Sequence, residues 1–443
     1  MARTAPHLIR YIDLFAGCGG LSEGFETVGG YRGLAHVDWE EAPCRTLATR
    51  LGVKWGYPDA ERRVLRSDIQ QLKTLFSGRQ VGGGSLHAGL DQLVTEAGGI
   101  DLVIGGPPCQ AYSMAGRVRD EHGMHHDYRN YLFESYLAVV ERYRPRLVLF
   151  ENVPGMLSAQ PGGVSIQDRI RDGFRKAGYR IRDELRSCVL NAADFGVPQH
   201  RKRVIIFGVR ADTSASVELI DAFYNDLSDR VIPTQTSVRD AIGHLARLTP
   251  LRKPERRDGR TWSHAFAKKS IDDHVPRFHN VRDQRIFRML ALDLLRSRPR
   301  FTDTERLKQL YTETTGRVSA VHKYHVLRPG EPSNLIPAHL YKDGLRHIHF
   351  DPAQARSITV REAALLQGFP IDFRFLGSQG DKYKMIGNAV PPLLAQHLAG
   401  AISNLFRSVS RRTQGGAVQA RASHVDGQSS SRRRSVPVCR NRP

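Results

Sequence analysis

One of the chain's cysteines, Cys109, sits in the run Gly105-Gly106-Pro107-Pro108-Cys109-Gln110. Prolines fix φ and stiffen a turn, so this thiol is held in a rigid loop directly after the apolar stretch Leu102–Ile104. A buried cysteine usually acts as a small apolar residue. A Gly-Gly-Pro-Pro loop is not a core environment, and it points to a reactive thiol. The next apolar run, Leu147–Phe150, ends in Glu151-Asn152-Val153. A thiol and a carboxylate at neighbouring strand ends can work as a pair, although a strand-end glutamate alone is more often just solvated. Gln199-His200-Arg201-Lys202-Arg203 then leads into Val204–Phe207. In an extended chain Gln199, Arg201 and Arg203 project to one side. They would form either a positive, hydrogen-bonding wall around a bound base or phosphate, or a basic edge strand.

A second constellation opens the chain. Asp13-Leu14-Phe15-Ala16-Gly17-Cys18-Gly19-Gly20 lies between an apolar run and an amphipathic one. Such glycines let backbone approach a ligand and set helix N–H groups against an anion. That anion is a pyrophosphate in dinucleotides and a carboxylate in S-adenosylmethionine; a tight structural turn accounts for the loop equally well. Asp38 follows about 20 residues later, where a carboxylate commonly binds ribose hydroxyls. Trp39 could lie on an adenine face, and Asp68-Ile69 could receive its amino group.

These residues need a frame that brings strand ends together. Tyr11–Phe15, Gly33–Val37, Leu102–Ile104, Leu147–Phe150 and Val204–Phe207 are expected strands, and Leu21–Thr27, Ala42–Arg50 and Tyr131–Tyr143 expected helices. Alternation of this kind implies a parallel sheet covered on both faces, with ligands at the carboxyl ends of the strands. From Pro233 to Asp351 the chain is rich in Arg, Lys, His and Pro, with a helix expected around Gln284–Arg296, and forms a second domain of mixed structure. Helical periodicity returns at Val360–Gln367 and Pro391–Phe406, and Ser408–Pro443 has the composition of a disordered tail. The formal charge of +21, from 66 Lys+Arg against 45 Asp+Glu, favours a polyanionic partner, though the tail carries part of it. The 5 cysteines are scattered, without a Cys-x-x-Cys pair, which argues against a disulfide framework or a zinc site. With no signal-like or membrane-spanning apolar run, the expectation is a soluble cytoplasmic protein.

Taken in order, the blocks Asp13–Gly20, Gly106–Gln110, Glu151–Gly155, Gln199–Arg203, Arg361–Pro370 and Gly387–Pro392 resemble the DNA cytosine-C5 methyltransferases, from Tyr11 to about Ala401. The resemblance implies an α/β fold: a Rossmann-like S-adenosylmethionine-dependent methyltransferase domain (residues 1–230 and 353–407) with a smaller inserted target-recognition domain (231–352), then a basic tail (408–443). It implies that Cys109 adds to C6 of a flipped-out cytosine and that Glu151 serves N3, with a pKa raised by burial or by the base. Arg201 and Arg203 would position the base and favour the thiolate. Phe15, Gly17, Gly19, Gly20, Asp38, Trp39, Asp68, Ile69, Leu132 and Asn388 carry over as cofactor positions. Gln110, Ser113, Arg117 and Gln199 carry over as substrate contacts, the second and third on the polar loop Ala111–Asn130.

The implied partners are duplex DNA and a restriction endonuclease acting on the same site, with the enzyme a monomer. Three features depart from the family. The spacing from Asp68 to Asp101 is long and includes Gly82-Gly83-Gly84, expected to be a surface insertion; Tyr112 stands where Phe is common; and Pro332–Ile336 replaces the usual Thr-aliphatic pair near the target base. One branch of the family acts on transfer RNA, but a long basic insert favours duplex DNA. A non-catalytic DNA-binding scaffold predicts damage at Cys109, Glu151 or Gly17–Gly20, and these are intact.

Overall fold

Strand β1 (Ile9–Leu14) lies inside the sheet, and its neighbours on both sides run parallel to it. In this computed structural model residues 8–81, 85–108, 132–160, 163–267 and 271–407 are described. β2 (Tyr31–Asp38) and β3 (Val64–Arg66) extend the sheet on one side. A small hairpin, β4 (Arg79–Val81) and β5 (Ser85–His87), flanks the glycine run in the long spacing after Asp68. β6 (Leu102–Gly105) and β7 (Leu147–Asn152) extend the sheet on the other side, both parallel to β1. β8 (Tyr179–Arg180), β9 (Val189–Asn191) and β10 (Lys202–Arg210) complete it, in the order β3-β2-β1-β6-β7-β10-β8, with β9 also on β10.

The sheet is not parallel throughout, as the alternation of strands and helices implied. β10 runs antiparallel to β7, β8 and β9. The apolar run Val204–Phe207 marks a buried strand but carries no information on direction. All six residues of β7 are buried, consistent with its central position.

Helices α1 (Gly20–Val28) and α2 (Glu41–Val53) follow β1 and β2. The final helix, residues 392–407, returns to pack Leu394, Leu398 and Ile402 into the same core as Leu21, Phe25 and Tyr31. A Cβ on Gly24 would stand 2.4 Å from that of Ala395, so α1 and the returning helix touch through a glycine.

The inserted region contributes a hairpin, β11 (Pro250–Arg257) and β12 (Arg260–His264), and helices Val281–Leu294 and Thr304–Thr315. The two helices share a core of Ile286, Phe287, Leu290, Leu307, Leu310, Tyr324 and Ile348. A further core joins Val238, Ile242, Leu327 and Ile336 to Val360, Leu366, Tyr383 and Ile386, so insert and return segment are packed as one body.

A buried ion pair within the return segment lies beside that junction. Arg356 donates to Glu362 at 2.6 and 2.7 Å, and Glu362 also accepts from the Thr359 N–H at 2.7 Å, capping helix Val360–Leu366. Burial alone would raise the Glu362 pKa; the Arg356 guanidinium overrides it and holds the carboxyl well below its usual range. Glu362→Ala would strand a buried guanidinium and should lower unfolding free energy by about 3–5 kcal/mol in urea melts. The same change at Glu41, whose pair with Arg66 is exposed on both sides, should leave the melt unchanged. Equal losses would contradict this assignment.

Candidate active site

The sheet order brings the carboxyl ends of β1, β2, β3, β6 and β7 to one edge, and the loops that follow them line a cleft of about 400 Å³. Its first wall is the glycine loop. Phe15 and Gly17 have positive φ, 60° and 55°, and turn the chain sharply out of β1. A Cβ on Gly17 would meet nothing within 4 Å, so its surface is free for a ligand. A Cβ on Gly20 would lie 2.2 Å from the Val390 carbonyl oxygen, so this glycine admits the returning chain. Gly19 caps α1 at φ 90°, and its Cβ would strike Leu47. It builds the turn but does not line the cleft. The other nine expected cofactor positions, Phe15, Gly17, Gly20, Asp38, Trp39, Asp68, Ile69, Leu132 and Asn388, all do.

Asp38 organises this end. Its carboxylate accepts from the Gly17 N–H and the Glu40 N–H, both at 2.9 Å, and burial raises its pKa. Trp39 stands 61% exposed beside it.

The second wall carries Glu151. Because β6 and β7 pair Gly105 with Phe150, the next residues, Gly106 and Glu151, lie side by side. A Cβ on Gly106 would stand 2.5 Å from Glu151 Oε2, so a side chain here would push the carboxylate from its place. From the antiparallel neighbour β10, Arg203 forms an ion pair with Glu151, Nε to Oε1 at 2.7 Å, both side chains nearly buried. Asn152 Nδ2 donates to the Pro107 carbonyl at 3.3 Å and pins the proline loop. Pro107 and Pro108 line the cleft. Cys109, Gln110, Ser113 and Arg117 lie outside the described residues.

Gln199 and Arg201 differ from the wall pictured from spacing. Gln199 is fully buried: its amide donates to the Gln367 side chain at 2.6 Å and the Leu366 carbonyl at 3.2 Å, and accepts from Ile336 N–H at 3.0 Å. Arg201 lines the cleft, yet its terminal nitrogens donate to the carbonyls of Ile336, Gly387 and Ala389 at 2.9–3.3 Å. Of the three, Arg203 alone meets Glu151. The other two fasten the insert and the return segment to β10, and Ser333 forms a parallel bridge with Gln199. The departing segment Pro332–Ile336 is therefore anchored beside the site, with Ile336 buried and Leu335 41% exposed.

Residue types alone did not flag the buried chain under the cleft floor. Ser22 Oγ donates to Asp13 Oδ2 at 2.6 Å and lies 2.9 Å from His36 Nδ1. Burial raises Asp13 to about 7 and lowers His36 to about 3. Both are then neutral over much of the acid range. Between about pH 4 and 6.5 folded Asp13 holds a proton that the unfolded chain has lost, so its contribution to stability falls as pH rises. His36 is neutral when folded and charged when unfolded, so its contribution falls as pH drops. The two slopes oppose each other. In Asp13→Asn the His36 slope stands alone, and stability relative to wild type should fall by up to about 1.4 kcal/mol per pH unit on acidification. Urea midpoints at three pH values check this; a constant difference would contradict it.

Against this geometry the comparisons with known proteins are consistent. Residues 9–404 match the family described as C-5 cytosine-specific DNA methylase. The Type II methyltransferase M.Bpa9945I of Bacillus paralicheniformis is 31% identical, over 89% of this chain and 98% of that one. The Type II methyltransferase M1.HphI of Haemophilus parahaemolyticus is 30% identical, over 89% and 86%. Among solved structures, the S. pombe Dnmt2 methyltransferase shares the fold with a TM-score of 0.52 at 15% identity, over 91% of this chain and 99% of that one. The chain belongs to the C-5 cytosine-specific DNA methylase family and is a DNA cytosine-5 methyltransferase.

Proposed function

We propose that the protein methylates C5 of a cytosine flipped out of a specific duplex sequence, through a covalent bond from Cys109 to C6, as the modification enzyme of a restriction–modification system. One observation carries this reading: a single cleft is lined by the Gly17–Asp38 turn at one end and by Glu151, Arg203 and Pro108 at the other. Cys109 is one peptide bond beyond Pro108.

The residues present fit S-adenosylmethionine. Gly17 leaves open surface at the start of α1, where a carboxylate is favoured by the helix N-terminus. Asp38 can accept from ribose hydroxyls, Asp68 from an adenine amino group, and the exposed Trp39 ring can cover the adenine face, with Leu132 and Asn388 completing the enclosure. Bound there, the cofactor supplies an electrophilic methyl group.

Cytosine C5 is too weak a nucleophile to accept that group unaided. The Cys109 thiolate adds to C6, the C5–C6 double bond opens, and C5 gains enamine character. Glu151 hydrogen-bonds or protonates N3 and so disperses the charge that this addition places on the ring. Arg203 orients Glu151 and adds positive potential beside the thiolate. Once C5 carries the methyl group, loss of its proton to a base re-forms the double bond and expels Cys109 as thiolate. The target base must leave the stack first, at a cost of a few kcal/mol. Gln110, Ser113 and Arg117 are assigned to DNA contacts, and residues 231–352 to sequence readout. The relatives described above are Type II methyltransferases, which supports pairing with an endonuclease of the same site.

Bisulfite sequencing of DNA from a methylation-free host tests this. Expression of the wild type should protect cytosines within one short motif, and Cys109→Ser should abolish the protection. Complete conversion with folded wild type would contradict the reading.

A further inference from the structure

Two ion pairs have both partners lining the cleft. One is Glu151–Arg203 at the reacting end; the other joins Glu40 to Lys384 at the opposite end. Lys384 Nζ contacts both Glu40 oxygens, at 2.8 and 2.9 Å, across 344 positions of sequence.

Each partner is tied to groups that face the cofactor space. Glu40 closes the turn Asp38-Trp39-Glu40, and its N–H is held by Asp38 Oδ1, while Asp38 Oδ2 takes the Gly17 N–H. Shifting Glu40 therefore moves the Trp39 ring and the carboxylate that fixes the glycine loop. Lys384 is one turn before Asn388 on the helix Gln379–Asn388, and both residues line the cleft. That helix is fixed at its start by the Ser378–Asp381 capping box and by the Lys382–Asp273 pair at 2.6 Å. The Glu40 bridge is thus a charged link between the Trp39 wall and the Asn388 wall, at the exposed rim above the buried contacts of Cys18 and Thr46 with Met385.

We infer that Glu40 and Lys384 are a latch across the cofactor mouth: positioning residues that hold the two walls together and govern how long S-adenosylmethionine stays bound. The inference rests on the cofactor reading above. Neither side chain is buried, at 31% and 41% exposure, so the pair is partly screened and its effect is moderate and sensitive to salt.

Calorimetric titration of the full chain with S-adenosylmethionine, with a chase measurement of its dissociation rate, tests the latch. Glu40→Lys and Lys384→Glu should each raise Kd by about five- to tenfold, mostly through faster release. The charge-swapped double variant and Lys384→Arg should return to within about twofold of wild type. Lys384→Gln, a milder change, should lie between wild type and the reversals, and high salt should narrow all these differences. Thermal melts confirm that each variant is folded. If the single variants bind like wild type, or if the swap binds no better than they do, the latch is wrong while the cofactor reading stands. If the wild type itself does not bind S-adenosylmethionine, the cofactor reading falls and the latch with it.

Discussion

The contact between Glu151 and Arg203 depends on a strand running against the direction of its neighbours. β1, β6 and β7 are parallel and deliver their carboxyl ends to one edge. A parallel strand beside β7 would deliver its own carboxyl end there too. β10 is antiparallel instead and brings its amino end, with Arg203, against the end of β7. Hydrogen-bond register then sets the carboxylate and the guanidinium 2.7 Å apart. Gly106 completes the arrangement by leaving room that any side chain would fill. Glu151 is held on a strand end by backbone geometry, and preorganisation of this kind is what the proposed role at the base requires.

A second constraint is the closeness of the returning chain. The Val390 carbonyl approaches Gly20, and Gly387 leaves no room for a Cβ beside the backbone of Pro337 and Ala338. Arg201 bonds to carbonyls on both sides of that junction, and Gln199 bonds to two more groups of the return segment and one of the insert. The site is therefore assembled from chain segments hundreds of residues apart, held by buried hydrogen bonds at the cleft's edge. Any substitution that loosens this junction would disturb Asn388 and Arg203 together.

Much of this was readable from the sequence because backbone demands leave residue-specific traces. Apolar runs closed by Gly, Asp or Glu located the strand ends, and the glycine loop and Asp38 were recognisable from their order. What could not be read has physical reasons. Arginine and glutamine at alternate positions look alike whether they wall a bound base or fasten buried carbonyls, so spacing could not show that Gln199 is fully buried or that Arg201, while lining the cleft, also bonds to three backbone carbonyls. Strand direction leaves no mark in composition, so β10 was taken as parallel. The hairpin of β11 and β12 went unrecognised although Asp258-Gly259, both with positive φ, is a turn signal at its tip. The pairs Glu40–Lys384 and Arg356–Glu362 exist only after folding.

The proposed reaction runs through a covalent bond from Cys109 to the target base, and trapping that bond is its most direct test. In a duplex with 5-fluorocytosine at the target position, C5 carries fluorine in place of the proton whose loss releases the enzyme. With S-adenosylmethionine present, the wild type should form a complex that survives denaturing electrophoresis, and peptide mapping should place the linkage on Cys109. A duplex that binds and yields no such complex, or a linkage mapped to another residue, would contradict the account.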